Sequence, residues 1–588
     1  MIRRSCLVAL VTVCGLGISA FGRSPAMAKP DATIHLISTT DVHGYLQAQA
    51  LKSGILAGGV DYVSGYFNAA KKFDPETLLL DSGDLFQGTI VSNEAEGAPV
   101  VKFFNYAGYT ATAIGNHDFD FGPVGPDTIV QKPGEDPLGA LKARMSQAKF
   151  PFLSANTCSL DEDPGQCKNA ATFQTTSFTR PYIISSVHGV NVGVIGLTTT
   201  ATPQTTMPQN VSRLRFFPMA QALERYVPEM KEKGVDVIVV IAHSGGFCTQ
   251  GICAPTDEIF ATVDQLKDST RKSIAVILGG HTHNYVNTVY NGTRVIIAGK
   301  YGQSFGYVTL SYHAADGTSE VVDGRTYDFC QQVYPDTQGC SQGLGTLVAP
   351  TFLGGAVTPD SKAIALIAKD IAAADAIGKQ VLGKTLTSLT KGSPESTMAD
   401  FMTDAYRNCF SDSACSTHAD ISFQNNGGVR AEIPAGPVNY NQIFQVLPFD
   451  NYVATLKLTG TQVRDLITIW YSHEQAVQQV SGLKITYNSS LKTTRTITNG
   501  AGESKVFLDP IVSIDTLDPS RNYTVVVADF LAAGGSGLDF FVKGLSPAPL
   551  INYERKLRDT LVDFIKSSPN GVSYTGSPAR IIDQAASH

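Results

Sequence analysis

The stretch Ile34-His-Leu-Ile-Ser-Thr-Thr-Asp41-Val-His43-Gly places an aspartate and a histidine directly after an apolar run. Four further stretches repeat this arrangement of an apolar run followed by metal-type ligands. They are Asp81-Ser-Gly-Asp84, Gly115-Asn116-His117-Asp118-Phe-Asp120, His243-Ser-Gly-Gly and Gly280-His281-Thr-His283. This recurrence decides both the predicted fold and the predicted site.

Each of the five stretches follows a run that is predicted to be a buried strand. The runs are Ile34 to Ser38, Thr77 to Leu80, Thr110 to Ile114, Val235 to Ala242, and Ile274 to Leu278. Ligands of open α/β sheets collect in the crevice outside the carboxyl ends of the strands. We therefore expect all five stretches to meet at one place.

Together the five stretches offer enough oxygen and nitrogen ligands for two metal ions. A two-metal hydrolase needs ions roughly 3.5–4 Å apart, a shared ligand, and open positions for water and substrate. The expected ligands are Asp41, His43 and His283 for one ion, Asn116, His243 and His281 for the other, and Asp84 as the bridge. Imidazole and carboxylate ligands suit zinc, manganese, cobalt or iron, and the sequence does not distinguish these metals.

His117 and Asp120 are a second candidate pair within the same motif. Asp120 is predicted to orient the ring of His117 and keep it protonated, so that the cation stabilises charge on a transferring phosphoryl group or its leaving oxygen. Taken alone, an Asp or His after a strand is more often a helix cap or a structural residue. Five such stretches in order favour a catalytic site.

These stretches resemble the signature blocks of the calcineurin-like metallophosphoesterases, in which D-x-H, G-D, G-N-H-[DE], H and G-H-x-H supply a two-metal site. The resemblance covers roughly Thr33 to Gly306. It implies phosphoester hydrolysis, the metal ligands assigned above, and a catalytic dyad of His117 and Asp120.

The second half resembles the C-terminal domain of the exported 5′-nucleotidase family, from about Thr358 to Ile582. The motifs are Asn425-Asn-Gly-Gly-Val-Arg430, Val446-Leu-Pro-Phe449-Asp-Asn451 and Ala528-Asp-Phe530-Leu-Ala-Ala-Gly-Gly-Ser536-Gly. The resemblance implies that Phe449 and Phe530 sandwich the base, which is worth about 1–3 kcal/mol per base. It also implies that Asn425 contacts the base and that Arg430 binds phosphate. Without the resemblance, these residues fit a core, a turn and a surface ion pair.

Two positions depart from the family pattern, and both concern substrate recognition. Pro394 precedes Glu395 where the family usually has an arginine, and Ser536 replaces an aspartate that accepts hydrogen bonds from ribose hydroxyls. A hydroxyl makes a weaker hydrogen bond to a diol than a carboxylate does. Asp529 and Asp539 are candidates to compensate for the missing carboxylate.

The chain has 588 residues, more than one hydrophobic core usually supports, so two domains are expected. We predict a signal peptide at 1–28, an α/β sandwich with helices outside the sheets at 29–340, a linker and hinge helix at 341–377, and a smaller α/β nucleotide-binding domain at 378–588. The helix is expected from Thr358 to Ile377, with Asp360 as its N-cap.

The first residues predict export. Arg3-Arg4, the apolar run from Cys6 to Phe21 and Ala26-Met-Ala28 match the three regions of a secretory signal peptide. A membrane anchor is the alternative, but the run is shorter than the roughly 20 residues needed to span a bilayer. The mature chain is expected to have no membrane span and to be periplasmic or secreted.

The cysteines that follow the signal peptide fall in close pairs. These are Cys158/Cys167, Cys248/Cys253, Cys330/Cys340 and Cys409/Cys415. Local pairs in an exported chain favour four disulfides. A zinc site is the alternative, but no pair has the tight CxxC spacing.

Net charge and motifs together favour a small nucleotide as the ligand. The formal net charge is −7 and the chain has no long basic run, which argues against a nucleic-acid polymer. The favoured reaction is 5′-nucleotide hydrolysis. Hydrolysis of 2′,3′-cyclic and 3′-nucleotides, or of nucleotide-sugar pyrophosphates, uses the same ions and stays open. A non-catalytic nucleotide-binding surface protein is the alternative from another class, and it predicts a missing metal ligand.

Overall fold

The computed structural model describes residues 29–162, 164–169, 175–337, 339–576 and 578–585. The predicted signal peptide lies outside the described residues. Two mixed α/β domains are present, joined by a pair of helices.

The first domain contains two six-stranded sheets. In spatial order, the strands of the first sheet are Thr318–Asp328, Ser304–His313, Ala32–Thr39, Leu78–Asp81, Ala111–Ala113 and Phe152–Leu153. Those of the second sheet are Tyr285–Tyr290, Thr293–Ala298, Ile274–Gly279, Val237–His243, Val190–Thr198 and Tyr182–Val187. All five predicted strands are present, and their ends differ from the predicted ones by at most two residues.

The two sheets pack face to face. Successive residues of a strand point to opposite sides of a sheet, so alternate residues fill the space between the sheets. Ile34 and Leu36 of the first sheet share a buried core with Val239 and Ile241 of the second. The other residues of these strands face outward onto helices. The helices of this domain are Val60–Phe73, Ile90–Asn93, Ala98–Ala107, Gly139–Gln147, Thr202–Thr205, Pro208–Val211, Met219–Glu232, Glu258–Gln265 and Asp268–Ser273. The predicted sandwich with external helices is confirmed.

Parallel pairing brings the ends of the ligand-bearing strands together. Ala32–Thr39 pairs in parallel with Leu78–Asp81, which pairs in parallel with Ala111–Ala113. In the other sheet, Val237–His243 pairs in parallel with Ile274–Gly279. The carboxyl ends of these strands therefore lie at one edge of the sandwich.

The linker differs in detail from the single predicted helix. Asp360 caps the first helix, Ser361–Leu366, by accepting a hydrogen bond from the Lys362 backbone N–H. The helix is interrupted at Ile367, where the backbone reaches φ −111° and ψ 8°, and Ala368–Gly378 continues it. Ile367 is fully buried in the core of the first domain, which explains the break. The role of this segment as a hinge stays a prediction.

The second domain has a five-stranded sheet with strands, in spatial order, Gln479–Ser481, Ile421–Gln424, Asn522–Ala528, Tyr452–Thr459 and Leu550–Lys556. A three-stranded sheet consists of Ile511–Asp515, Lys484–Tyr487 and Ile581–Asp583. Two-stranded pairs join Thr494–Thr498 to Ser504–Leu508 and Val381–Thr385 to Gly436–Asn439. The helices are Thr397–Cys409, Tyr440–Val446, Gly460–Glu474, Asp529–Ala532, Asp539–Val542 and Leu557–Lys566.

Four disulfides join the cysteine pairs predicted from the sequence, which are Cys158–Cys167, Cys248–Cys253, Cys330–Cys340 and Cys409–Cys415. A search of the described residues finds no helix with the length and apolar character needed to cross a membrane.

The two domains contact each other around a cleft at the carboxyl edge of the sandwich. The Asn93 side chain donates to the carbonyl of Pro448 at 3.2 Å, and the Tyr452 hydroxyl donates to Asp127 at 3.1 Å. These contacts place the loops of the second domain over the ends of the ligand-bearing strands.

Candidate active site

The first predicted ligand group converges as expected. His283 Nε2 lies 3.2 Å from Asp41 Oδ1 and 3.1 Å from His43 Nε2. All three residues present ligand atoms within 4.8 Å of one another. This group has the composition and spacing to hold one metal ion.

The second predicted group lies beside the first. His243 Nε2 is 3.1 Å from Asp84 Oδ2 and 3.0 Å from Asn116 Oδ1. His281 places a ring nitrogen within 4.8 Å of the ligand atoms of Asp84 and His243. Asp84 Oδ2 also lies 3.6 Å from His43 Nε2, so this carboxylate stands between the two groups, where a bridging ligand is needed.

Hydrogen bonds to backbone carbonyls orient two of the imidazole rings. His43 Nδ1 donates to the carbonyl of Gln87 at 2.7 Å, and His243 Nδ1 donates to the carbonyl of Ser82 at 2.8 Å. Each Nε2 is then left near the Asp84 carboxylate, at 3.6 Å for His43 and 3.1 Å for His243. Metal-bound histidines use their other ring nitrogen for a hydrogen bond in this way.

The charge balance of the cluster also favours cations. Burial lowers the pKa of His243, but the negative charge of Asp84 outweighs burial and raises it to about 10. A buried carboxylate and imidazole that hold a proton this tightly also favour a divalent cation in its place.

Five of the seven predicted ligands adopt left-handed backbone conformations, which are uncommon for residues other than glycine. They are Asp41, His43, Asp84, His281 and His283. Such conformations cost of order 1–3 kcal/mol each and cluster at functional sites. The loops are therefore shaped to direct side chains inward at the expense of local stability.

The predicted dyad is formed, and a third residue supports it. His117 Nδ1 lies 2.6 Å from Asp120 Oδ2, and the Thr206 hydroxyl donates to Asp120 Oδ1 at 2.6 Å. Burial lowers the pKa of His117, but Asp120 and Asp84 outweigh it and raise the pKa above its ordinary value. The other ring nitrogen of His117 is left for the cavity.

Asp118 has a positioning role that the sequence did not reveal. Its carboxylate accepts hydrogen bonds from the backbone N–H groups of Gly115 at 2.8 Å, Leu85 at 2.8 Å and Asp84 at 3.2 Å. These bonds join the loop of Asp84 to the loop of Asn116. A motif scan shows Asp118 only as a neighbour of His117, because the Asp84 loop is more than 30 positions away in the chain.

The predicted substrate residues of the second domain face the same cavity as the metal-type ligands. The cavity has a volume of about 340 Å³. Its walls include Asn425, Arg430, Phe449, Phe530 and Ser536 together with Asp84, Asn116 and His117. The Phe449 ring centroid lies 5.4 Å from that of His117, so the aromatic wall begins beside the dyad.

Arg430 presents an unpaired donor at this wall. Its guanidinium lies 5.4 Å from the Phe449 ring centroid, and Nη1 donates to the carbonyl of Gly427 at 3.3 Å. Nη2 is buried and has no hydrogen-bond partner among the described residues. A buried unpaired donor is costly, which favours an acceptor supplied by a ligand.

Neither aspartate considered as a replacement for the missing carboxylate at Ser536 lines the cavity. Asp529 is fully buried and accepts a hydrogen bond from the Phe530 backbone N–H at 2.8 Å. Asp539 begins a short helix behind Gly534. The cavity wall instead includes Gln87 and Glu474, which the sequence analysis did not single out. Gln87 and Glu474 reach the cavity only because segments that are distant in the chain pack together, so no local motif identifies them.

Family comparisons match two separate parts of the chain. A model of the calcineurin-like phosphoesterases matches residues 34–285, and a model described as 5′-nucleotidase, C-terminal domain, matches residues 371–543. The chain thus combines a calcineurin-like phosphoesterase domain with a 5′-nucleotidase C-terminal domain. It is accordingly a metal-dependent phosphoester hydrolase. The second match begins inside the segment predicted as the linker.

Several known proteins align with most of this chain. The 5′-nucleotidase of Rattus norvegicus is 25% identical over 582 residues, covering 94% of this chain and 91% of that protein. Endonuclease YhcR of Bacillus subtilis is 24% identical over 557 residues, but the chain spans only 40% of its length. The crystal structure of a 5′-nucleotidase precursor from Thermus thermophilus has a TM-score of 0.67 at 23% identity, covering 94% of this chain and 99% of that chain.

Proposed function

We propose that the protein releases phosphate from nucleoside 5′-monophosphates at a centre of two divalent metal ions. The main support is that one cavity is lined both by the Asp and His cluster and by Phe449 and Phe530, the aromatic wall of the second domain. With 5.4 Å between the rings of Phe449 and His117, a ligand stacked on the wall keeps its phosphate near the cluster.

Two metal ions bound by the cluster would supply hydroxide at neutral pH and neutralise charge on the phosphoryl oxygens. Asp41, His43 and His283 are the proposed ligands of one ion, and Asn116, His243 and His281 those of the other, with Asp84 shared. Imidazole and carboxylate ligands are compatible with zinc, manganese, cobalt or iron.

The dyad acts on the leaving group. His117 is oriented through its Nδ1 by Asp120, and its Nε2 proton is available to the ribose 5′ oxygen as the phosphorus–oxygen bond breaks. Asp120 stabilises the imidazolium, and Thr206 holds Asp120 in place. A cation at this position also stabilises the charge that develops on the departing oxygen.

The second domain is proposed to hold the nucleoside and guide the phosphate. Phe449 and Phe530 offer aromatic faces to the base, and such a clamp tolerates any base because every base has a π-face. Asn425 supplies an amide to the same ligand. The buried, unpaired Nη2 of Arg430 is suited to a phosphate oxygen.

Export is part of the proposal. Four disulfides join local pairs, and disulfides persist mainly in oxidising compartments. A periplasmic or secreted location agrees with this chemistry and with the predicted signal peptide.

The proposal is tested with purified protein that is stripped of metal and then supplied with manganese or zinc. Phosphate release is measured in parallel on 5′-AMP, 3′-AMP, 2′,3′-cyclic AMP and UDP-glucose, with chromatography of the products from the last two. We expect metal-dependent turnover to be highest on 5′-AMP. Preference for 3′-AMP or the cyclic nucleotide would retain the dimetal centre and overturn the 5′ specificity.

A further inference from the structure

Glu474 lines the same cavity as Phe530 and Ser536. It is the last residue of the helix Gly460–Glu474, and with Ser536 it forms one wall of the cavity. The Ser536 hydroxyl lies near the Glu474 carboxylate and stabilises its charge. A carboxylate therefore stands next to the position where the family pattern has lost one.

Close packing fixes this wall. A side chain at Gly537 would place its Cβ 2.3 Å from Cγ of the His473 ring, so the loop lies directly against the end of the helix. A Cβ at Gly535 would lie 2.1 Å from the Phe530 ring. The carboxylate, the Ser536 hydroxyl and the Phe530 ring thus belong to one packed unit.

The same wall is connected to the dyad by a short segment of the first domain. The Ser536 backbone N–H donates to the carbonyl of Gln204 at 2.8 Å, and Thr206, two residues later, donates to Asp120. The carboxylate therefore shares one cavity with the aromatic ring that is proposed to stack on the base and with the dyad that faces the phosphate. In a nucleotide, the sugar joins the base to the phosphate, so its hydroxyls also lie in this cavity.

The chemistry of the wall fits vicinal hydroxyl groups. A carboxylate has two oxygens and accepts hydrogen bonds from two hydroxyls, and charged acceptors bind about twice as strongly as neutral ones. A second phosphate attached to the sugar would instead bring a dianion against this carboxylate, and like charges at short range are repelled.

We infer that Glu474 accepts the 2′ and 3′ hydroxyls of the bound ribose and excludes nucleotides that carry a further phosphate on either oxygen. This inference rests on the proposed function, since it requires a nucleoside in the cavity. Glu474 would then discriminate against the additional phosphate, which the neutral hydroxyl of Ser536 cannot do alone. Burial raises the pKa of Glu474 above its ordinary value, and His473 and the Ser536 hydroxyl partly oppose that rise.

The test compares Glu474→Gln with wild type on 5′-AMP, 2′,3′-dideoxy-5′-AMP and adenosine 3′,5′-bisphosphate. We expect kcat/KM for 5′-AMP to fall about tenfold, because a charged acceptor is replaced by a neutral one. We expect the value for the dideoxy nucleotide to change less than about twofold and the value for the bisphosphate to rise. Asp539→Asn is the matched control, since this nearby carboxylate does not line the cavity, and it should leave all three values unchanged.

A second variant guards against a folding defect in Glu474→Gln. Adding Ser536→Asp to Glu474→Gln should restore most of the activity on 5′-AMP and suppress that on the bisphosphate. Equal losses on 5′-AMP and the dideoxy nucleotide would overturn the inference. A loss on 5′-AMP that is absent on 5′-IMP would place Glu474 on the base and overturn it as well. Turnover of 5′-AMP by the wild-type protein is measured first. Its absence would refute the proposed function, whereas its presence allows the variants to test the inference about Glu474.

Discussion

Replacing Thr206 by valine tests how the dyad is held in place. The Thr206 side chain is 2% exposed and donates to Asp120 Oδ1 at 2.6 Å, while Asp120 Oδ2 lies 2.6 Å from His117 Nδ1. Valine has nearly the same shape as threonine but lacks the hydroxyl. The substitution therefore removes one hydrogen bond to a partly buried carboxylate and changes little else.

The size of the effect follows from the charge of the acceptor. A hydrogen bond to a charged group contributes about 1.5–3 kcal/mol, and each 1.4 kcal/mol corresponds to a factor of about ten in rate. The full contribution is an upper limit, because Asp120 keeps its contact with His117. We expect kcat for 5′-AMP to fall about tenfold, with KM and metal content unchanged.

The assay includes a matched control from the same segment. The Thr205 hydroxyl donates to the carbonyl of Ala201 at 3.1 Å, beside its own short helix, so Thr205→Val should change kcat less than about twofold. In an Asp120→Ala background, Thr206→Val should cause no further loss, because residues that act through one another are not additive. Equal effects of the two threonine substitutions, or full additivity with Asp120→Ala, would refute the positioning role.

The remaining predictions concern the metals, an unpaired amide and a disulfide. Asp84→Asn should reduce both bound metal and turnover, whereas His117→Asn should reduce turnover with metal retained. Measurements of metal content and phosphate release check both predictions. Normal activity in either variant would contradict the assignment. Gln87 is 2% exposed and neither amide atom has a hydrogen-bond partner among the described residues, so Gln87→Leu should stabilise the metal-free protein by about 1–3 kcal/mol in urea unfolding and lower turnover. A lower urea midpoint would instead reveal a structural partner. Replacing Cys330 and Cys340 by serine opens a loop with a sequence separation of 10 and should cost roughly 3 kcal/mol, with an unchanged urea midpoint as the contrary result.

The sandwich could be predicted because short, local sequence patterns identify its strands. Apolar runs such as Val237–His243 are followed at once by ligands, and strand polarity then determines where the ligands meet. The cysteine pairs were predictable for the same reason, since each pair closes a short loop. The break at Ile367 was not predictable, because it follows from burial of that side chain against the first domain.

Residues of the candidate site were predictable only where they belong to a short sequence motif. The contact between His117 and Asp120 was predictable because three positions separate them, whereas Thr206 and Asp118 bond to partners elsewhere in the chain. The catalytic role of the pair stays a prediction. Glu474 is the clearest case. The sequence suggested Asp529 or Asp539 because both lie near Ser536 in the chain, but the cavity takes its carboxylate from the end of the distant helix Gly460–Glu474.

The most direct test of the central claim is a titration of turnover against added metal. Metal-free protein at a known concentration receives increasing Mn²⁺, and phosphate release from 5′-AMP is recorded at each step with the bound metal. The two ligand groups predict that activity rises until two ions are bound per chain and then stays constant. Full activity with one bound ion, or activity in the metal-free protein, would contradict the dimetal account.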